Sequence, residues 1–346
     1  MRAVVVAGAG AVAVADVPSP VLTDPADAIV RVTTAAICGS DLHVVEGRAP
    51  ASPGDVLGHE AVGIVDEVGD DVRRVSVGDR VVLSYVNACG TCWWCTTGQS
   101  ALCERSRVHG AGAFGGDLAG AQADAVLVPG ADVNLLQVPD GIDDDRAVFL
   151  GDLLPTAMAS ASLAAPEPGG TVAVVGAGPV GLLTTQALVA AGAGRVVVLD
   201  REPDRLALAE AAGATAIDTR ERDPEMALAS LTDDRGADAV VDAVGSVPAF
   251  EVALDVVRRG GRVVVAGVYA GEVMELQVGA WWARALDVRF LGLCAAHAWW
   301  EAGRDAVLDG TIDPAPLISH RLSLEAAPRG YELFARHEAT KVLLRP

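Results

Sequence analysis

Val172-Ala173-Val174-Val175-Gly176-Ala177-Gly178-Pro179-Val180-Gly181 runs from a β-branched strand pattern, through a glycine turn, into a Leu/Ala-rich helical stretch. This is GxGxxG in the context that gives it meaning: strand, tight turn, helix. Gly176, Gly178 and Gly181 let the backbone approach a pyrophosphate, and the helix that opens at Pro179-Val180 offers its positive N-terminus to it. A second strand pattern, Arg195–Leu199, ends in Asp200, about 20 residues further on, where an acid meets the adenosine ribose. A carboxylate there accepts the ribose hydroxyls and repels a 2′-phosphate, which favours NAD over NADP. Arg201 and Arg205 stand close by, and an arginine can instead hold that phosphate.

The stretches around this turn alternate in type. Thr171–Val175, Arg195–Leu199, Ala239–Asp242 and Arg262–Ala266 read as strands; Gly181–Ala191, Pro203–Ala212 and Val247–Val257 read as helices. Such alternation predicts a parallel, doubly wound sheet covered by helices on both faces. Upstream of Pro166-Glu167-Pro168-Gly169-Gly170 the rhythm differs. Short Val-rich runs (Ala28–Val32, Ala61–Val68, Arg80–Leu83) are broken by Gly, Pro and Asp, as in a β-rich, barrel-like domain. From about Phe290 the pattern becomes mixed again and is expected to rejoin that first domain. A second glycine cluster, Gly8-Ala9-Gly10-Ala11-Val12-Ala13, imitates the nucleotide turn, but β-type alternation follows it and no acid lies at the right distance. It reads as a hairpin turn.

The chain has 346 residues, 51% hydrophobic and 21% charged, which is a globular composition with room for two domains. Its net charge of −20 argues against nucleic acid and against an anionic membrane surface. No apolar run is long enough to span a bilayer, and the N-terminus suits a strand pair better than a signal peptide. A cytoplasmic protein is expected. Of its 26 Lys and Arg residues only Lys341 is a lysine, which reads as codon bias.

Six cysteines in that compartment point to metal rather than disulfides. Cys89, Cys92, Cys95 and Cys103 form C-x2-C-x2-C-x7-C, with Gly90 and Gly98 for tight turns. Four thiolates this close can close a tetrahedron around one Zn2+. An iron–sulfur cluster has similar spacing, but nothing else in the chain calls for electron transfer. With four thiolates the coordination is full, so this metal is structural. Three further segments carry metal-ligand residue types: Cys38-Gly39-Ser40-Asp41-Leu42-His43, Gly58-His59-Glu60-Ala61-Val62-Gly63, and Gly151-Asp152-Leu153-Leu154-Pro155-Thr156. Each alone is weak.

Together, Gly58-His59-Glu60 with Gly63, Gly69 and Val72, Cys38-Gly39-Ser40-Asp41, the four-cysteine run and the nucleotide turn resemble the zinc-containing medium-chain dehydrogenase/reductase family, along essentially the whole chain. The resemblance implies an α/β protein: a GroES-like β-rich catalytic domain over 1–153, with 291–346 returning to it, and a doubly wound Rossmann cofactor domain over 154–290. It implies Cys38 and His59 as ligands of a catalytic zinc, with Asp152 at the place of the third ligand, where members carry cysteine, aspartate or glutamate. Glu60 is either an exchangeable fourth ligand or a partner that orients the others.

Three protein ligands leave one zinc position open, where an alcohol oxygen has its pKa lowered. Hydride then passes to the nicotinamide. In similar enzymes the alcohol proton leaves through a hydroxyl at the position of Ser40, the nicotinamide ribose, and a histidine at the position of His43, whose titration range suits the exchange. The substrate is a small alcohol or carbonyl compound: primary, secondary or polyol. Gly115-Gly116-Asp117-Leu118-Ala119-Gly120-Ala121-Gln122 resembles the formaldehyde and threonine dehydrogenase branch. The family implies a homodimer or homotetramer.

Two other classes compete. A metal-independent quinone or enoyl reductase of the same fold lacks the Cys/His/acid set. A non-enzymatic nucleotide- or zinc-binding protein has no use for Ser40 and His43. Tyr85 fits a pocket lining or a barrel core equally. Glu46 and Arg48 read as a solvated loop. Trp281-Trp282 and Trp299-Trp300 read as core packing, and Cys294, His297, His320 and His337 as structural or surface groups.

Overall fold

The computed structural model describes residues 1–8, 10–110, 118–271 and 273–346. Gly115, Gly116 and Asp117, part of the segment that suggested a substrate branch, lie outside the described residues. The chain divides into two compact units, Met1–Pro155 with Ala295–Pro346, and Thr156–Cys294.

In the first unit, β1 (Arg2–Gly8) and β2 (Ala11–Asp16) pair antiparallel as the hairpin that the alternating pattern requires. Then come β3 (Ala28–Ile37), β4 (Ala61–Val68), β5 (Arg80–Leu83), β6 (Val86–Asn87), β7 (Arg107–Val108), β8 (Ala125–Val128) and β9 (Leu135–Gln137). The second unit carries β10 (Thr171–Val175), β11 (Arg195–Asp200), β12 (Thr215–Asp218), β13 (Ala237–Asp242), β14 (Val257–Val265) and β15 (Asp287–Phe290). β16 (Ile318–Ser323) and β17 (Lys341–Arg345) close the first unit's sheet.

That sheet has the order β16-β17-β3-β4-β5-β9, with β8 also pairing β3. Its core is aliphatic, with Val30, Ile37, Leu57, Val65, Leu83 and Val342 among the buried residues. Two registers matter for function. Ala35 of β3 pairs with Ala61 of β4, and Ile37 pairs with Val342 of β17, both antiparallel. The carboxyl end of β3 and the amino ends of β4 and β17 therefore lie side by side at one edge. The residues just beyond those ends are Cys38, Glu60 and Lys341.

The second unit is a six-stranded parallel sheet in the order β12-β11-β10-β13-β14-β15. β10, β11 and β13 are continuous apolar runs because both faces of the sheet are covered. Helices Pro179–Ala190, Pro203–Ala211, Pro224–Ala229 and Val247–Val256 each open with a proline in the first turn, where its missing N–H costs nothing. β12, β15 and the Pro224–Ala229 helix have no counterpart in the sequence reading. They are short, and the two strands are edge strands with few buried side chains, so their hydrophobic signal is weak.

Candidate metal and nucleotide sites

The candidate catalytic cluster is built at the sheet edge. Cys38 caps the Gly39–Val45 helix that leaves β3. His59 and Glu60 immediately precede β4, and Asp152 follows the 3-10 helix Val148–Gly151. One ligand atom from each of Cys38, His59, Glu60 and Asp152 lies within 4.8 Å of all the others. A thiol, an imidazole and two carboxyls at that separation are a donor set that fits a divalent cation such as zinc. Residues 38, 59 and 152, distant in sequence, are thus brought together.

His59 is buried, and its two nitrogens face different partners. Nδ1 is 3.3 Å from Oδ1 of Asp41, while Nε2 is 3.4 Å from Oδ2 of Asp152 and 3.3 Å from Oγ of Ser40. Asp41 fixes the tautomer: with the proton on Nδ1, the Nε2 lone pair points into the cluster. Burial opposes charge on this imidazole, but Asp41, Cys38 and Asp152 outweigh it and raise its pKa well above the usual value. Burial and the nearby Glu60 carboxylate push the Cys38 thiol up. A cation in the cluster would reverse that, since it favours the thiolate.

Asp41 is itself buried and held on three sides. It accepts from the Cys38 N–H (3.0 Å) and from Nε2 of Gln122 (3.1 Å), in addition to facing His59. Gln122 in turn accepts from the buried Tyr331 hydroxyl (2.8 Å). A Cβ on Gly58, whose φ is +92°, would sit 2.3 Å from Cγ of Gln122, so this glycine leaves room for the chain of bonds behind His59.

Glu60 does not stand alone. Both of its oxygens accept from Nζ of Lys341, at 2.6 and 2.8 Å, and Nζ also donates to the Ile37 carbonyl at 3.1 Å. Glu60 and Lys341 are completely buried. The only lysine of the chain is therefore a site residue, kept in a composition that otherwise favours arginine. Ser40 and His43 share one face of the Gly39–Val45 helix, three residues apart. Tyr85 is buried with its ring centroid 6.2 Å from that of His59. Glu46 and Arg48 pair with each other on an exposed loop.

The second cluster is the cysteine lobe. The sulfurs of Cys89, Cys92, Cys95 and Cys103 lie within 4.8 Å of one another, with Cys92–Cys95 at 3.5 Å and Cys89–Cys95 at 4.0 Å. The edge of a tetrahedron with Zn–S bonds of about 2.3 Å is about 3.8 Å, so four thiolates at these separations fit zinc. Backbone N–H groups of Cys92, Cys89 and Arg105 point at the sulfurs of Cys89, Cys103 and Cys103. Against its partial burial, bonds from Thr91, Cys92 and Arg105 hold the Cys89 thiol down at about 5. Burial and the sulfurs of Cys92 and Cys103 push Cys95 up to about 12. Full ionisation of the four calls for a cation at their centre.

In the second unit, Gly176 has φ +96° and a Cβ on Gly181 would stand 1.9 Å from the Gly176 carbonyl, so only glycine closes this turn. Gly178 caps the helix that begins at Pro179-Val180. Asp200 ends β11, and its Oδ2 accepts from the Ala177 N–H at 2.5 Å, while Oδ1 accepts from Arg201 and Glu202 N–H at 2.7 and 2.8 Å. The acid is thus seated directly on the glycine turn. Arg201 is exposed and Arg205 half-buried on the helix that follows.

Residues 24–140 match the alcohol dehydrogenase GroES-like domain, and residues 179–305 match the zinc-binding dehydrogenase domain. The chain is 39% identical to the "Probable zinc-binding alcohol dehydrogenase" of Mycobacterium tuberculosis, over 96% of this chain and 84% of that one. It belongs to the zinc-containing medium-chain dehydrogenase/reductase family, among the zinc-type alcohol dehydrogenases. Solved members of this family overlay closely. Alcohol dehydrogenase TADH from Thermus sp. ATN1 is 43% identical, with a TM-score of 0.93 over 100% of this chain and 99% of that one. The "putative zinc-binding dehydrogenase" of Sinorhizobium meliloti 1021, solved bound to NADP, is 31% identical, with a TM-score of 0.85 over 100% of this chain and 99% of that one. Zinc and a nicotinamide cofactor are family properties, and the two clusters and the glycine turn described above are the places in this chain that suit them.

Asp41, Lys341, Gln122 and Tyr331 are site residues that sequence reasoning did not single out. Asp41 had a readable signal, because an acid three residues into a helix caps its first N–H. Lys341 had one too, as the sole exception to arginine. Trp282 departs from the core packing expected of it and is 83% exposed. It lies on the short Val278–Ala283 helix, whose Trp281 is the residue that turns to the unit's core and meets Phe250 edge to face at 5.8 Å.

Proposed function

We propose that this chain is an NAD-linked zinc alcohol dehydrogenase in which Cys38, His59 and Asp152 hold the catalytic zinc and Cys89, Cys92, Cys95 and Cys103 a structural one. The observation that carries the reading is the convergence of a thiol, an oriented imidazole and a carboxylate within 4.8 Å, with the fourth group, Glu60, engaged on both oxygens by Lys341. Three protein donors leave a position for substrate, which is the catalytic rather than the structural pattern. When bound, the zinc would supply a Lewis acid that lowers the pKa of the alcohol, and the nicotinamide the acceptor for its hydride.

The protein's own part is proton handling and orientation. Asp41 holds the proton on His59 Nδ1 and so keeps Nε2 a lone-pair donor. Ser40 Oγ, 3.3 Å from His59 Nε2, takes up the proton that the alcohol gives up as it passes its own hydroxyl proton onward. His43, one turn further on the same helix face, exchanges it with water. Asp200 favours NAD, because a carboxylate resting on the Ala177 N–H faces the ribose that carries the extra phosphate of NADP. The product is an aldehyde or ketone.

The protein acts as a homodimer or homotetramer in the cytoplasm. β15 is the end strand of its sheet, and Phe290 on it, with Trp282, Val278, Leu276 and Val273 nearby in sequence, is more than half exposed. Such an open edge with apolar neighbours asks for cover. Among the described residues no single helix is long and apolar enough to cross a membrane.

The test is zinc per chain on chelator-washed protein, together with turnover of a panel of primary, secondary and polyol substrates with NAD and with NADP. Two equivalents and NAD-linked turnover are expected. His59→Ala should lose one equivalent and all turnover while still binding NADH. Turnover retained in His59→Ala would refute the catalytic site.

A further inference from the structure

The cofactor unit contains a buried acid for which the reaction has no use. Asp242 ends β13 and is completely buried. Its Oδ1 accepts from the backbone N–H of Val244 (3.0 Å) and Gly245 (3.2 Å). Its Oδ2 accepts from the hydroxyl of Tyr269 at 2.5 Å, and that hydroxyl is also 3.0 Å from the Ser246 carbonyl. Tyr269 comes from the segment after β14, so the carboxylate ties together the turns that leave two neighbouring strands. The backbone does the same. Ala266 and Gly267 N–H both donate to the Asp242 carbonyl at 2.9 Å, and a Cβ on Gly267 would lie 2.1 Å from the Gly245 nitrogen. Tyr269 is braced from behind by Phe250, edge to face at 6.4 Å.

These turns adjoin the nucleotide turn. A Cβ on Gly176 would sit 2.5 Å from Val244 Cγ2, and Ala243 N–H donates to the Val175 carbonyl at 2.9 Å. In a doubly wound sheet the dinucleotide lies across the carboxyl ends of the strands, spanning the point where strand order reverses. Here that point falls between β10 and β13. Asp200, on β11, marks the adenosine side. The turns after β13 and β14 are therefore the floor under the other half.

We infer that Asp242 and Tyr269 are positioning residues for the nicotinamide half of the cofactor: they touch no ligand, but the Tyr269 hydroxyl and the Asp242 carboxylate hold residues 243–246 and 266–269 in the arrangement that receives the nicotinamide ribose and its phosphate. A buried carboxylate is a costly way to shape a turn, and it is kept here because two backbone N–H groups and one hydroxyl, on two separate turns, need a single acceptor between them. The inference rests on the dinucleotide reading of Gly176–Gly181.

The test separates the two halves of the ligand. Binding of NADH and of AMP is measured by calorimetry on the intact zinc-loaded protein, for the wild type, Tyr269→Phe and Asp242→Asn. AMP reports the adenosine side alone. In Tyr269→Phe the NADH dissociation constant should rise about tenfold, the scale of one lost hydrogen bond to a charged group, with AMP binding changed less than about twofold. Asp242→Asn should repeat this pattern, and the KM for NAD should rise with the NADH constant. Unchanged NADH binding in Tyr269→Phe, or equal weakening of NADH and AMP, would overturn the inference. A wild type that binds neither ligand would overturn the nucleotide reading beneath it, and the inference with it.

Discussion

Lys341→Met is the perturbation whose size the structure sets most closely. Methionine matches the lysine stem in length and leaves the packing over Phe149, whose ring centroid lies 5.8 Å from Nζ, largely in place. What it removes is, among the described residues, the one positive charge bonded to Glu60, a carboxylate with no exposure to solvent. Breaking a buried pair by removing one partner costs about 3–5 kcal/mol, because the other charge remains buried and uncompensated. With about 2.1 cal/mol/K of unfolding entropy per residue, each kcal/mol lowers the melting temperature of a 346-residue chain by about 1.4 °C, so a fall of about 4–7 °C is expected. Glu60→Gln in the same chain removes the orphaned charge, and the double variant should recover all but about 1 kcal/mol. The assay is urea unfolding of the wild type, both single variants and the double variant in saturating zinc, closed as a thermodynamic cycle. A cost below about 1 kcal/mol in Lys341→Met, or a double variant no more stable than the single one, would show that the pair does not organise the site.

Two further outcomes follow from geometry elsewhere. His297 donates through Nε2 to Asn134 (3.0 Å) and pairs through Nδ1 with the Ser100 hydroxyl (2.7 Å), and burial holds its pKa down at about 4. Because the folded value lies below the unfolded one, the unfolded chain takes the proton first as pH falls. This contribution is full above about pH 6.5 and fades towards pH 4, by about 3 kcal/mol in all. His297→Gln should flatten the stability profile over that window in chemical unfolding; an unchanged slope would remove the assignment. Asp200→Gly should raise the KM for NAD by about tenfold, the loss expected from one charged hydrogen bond, and narrow the preference over NADP. An unaltered coenzyme ratio in steady-state kinetics would count against the ribose role.

The parts of this protein that were legible in sequence are those where chemistry is packed into a short span. The nucleotide turn announces itself because Gly176, Gly178 and Gly181 are demanded by one local backbone path, and the strand and helix on either side have clear periods. The four cysteines are legible because a tetrahedron can be closed within a single loop. Cys38, His59 and Asp152 are different. No spacing rule joins them, and only the resemblance to a known family singled them out. What brings two of their segments together is a strand register, Ala35 opposite Ala61, and registers are not written in any one segment.

The supporting residues were harder still, for a physical reason. Gln122, Tyr331 and Lys341 act through partners more than 80 residues away in sequence: Gln122 on Asp41, Tyr331 on Gln122, Lys341 on Glu60. A second layer of this kind is specified by the fold, after the fold exists. Yet Lys341 was not silent. Arginine's planar fork cannot be swapped freely for a compact ammonium that must reach two oxygens of one carboxylate and a carbonyl at once inside a dry sheet edge. In a chain that otherwise uses arginine throughout, the one position that keeps lysine is the one where that point charge is geometrically required. A residue type retained against a strong compositional drift is thus a site signal in its own right, and Lys341→Arg offers its direct test: if the guanidinium keeps wild-type stability and zinc binding, the ammonium is not geometrically required; if both fall, the buried geometry explains the lysine.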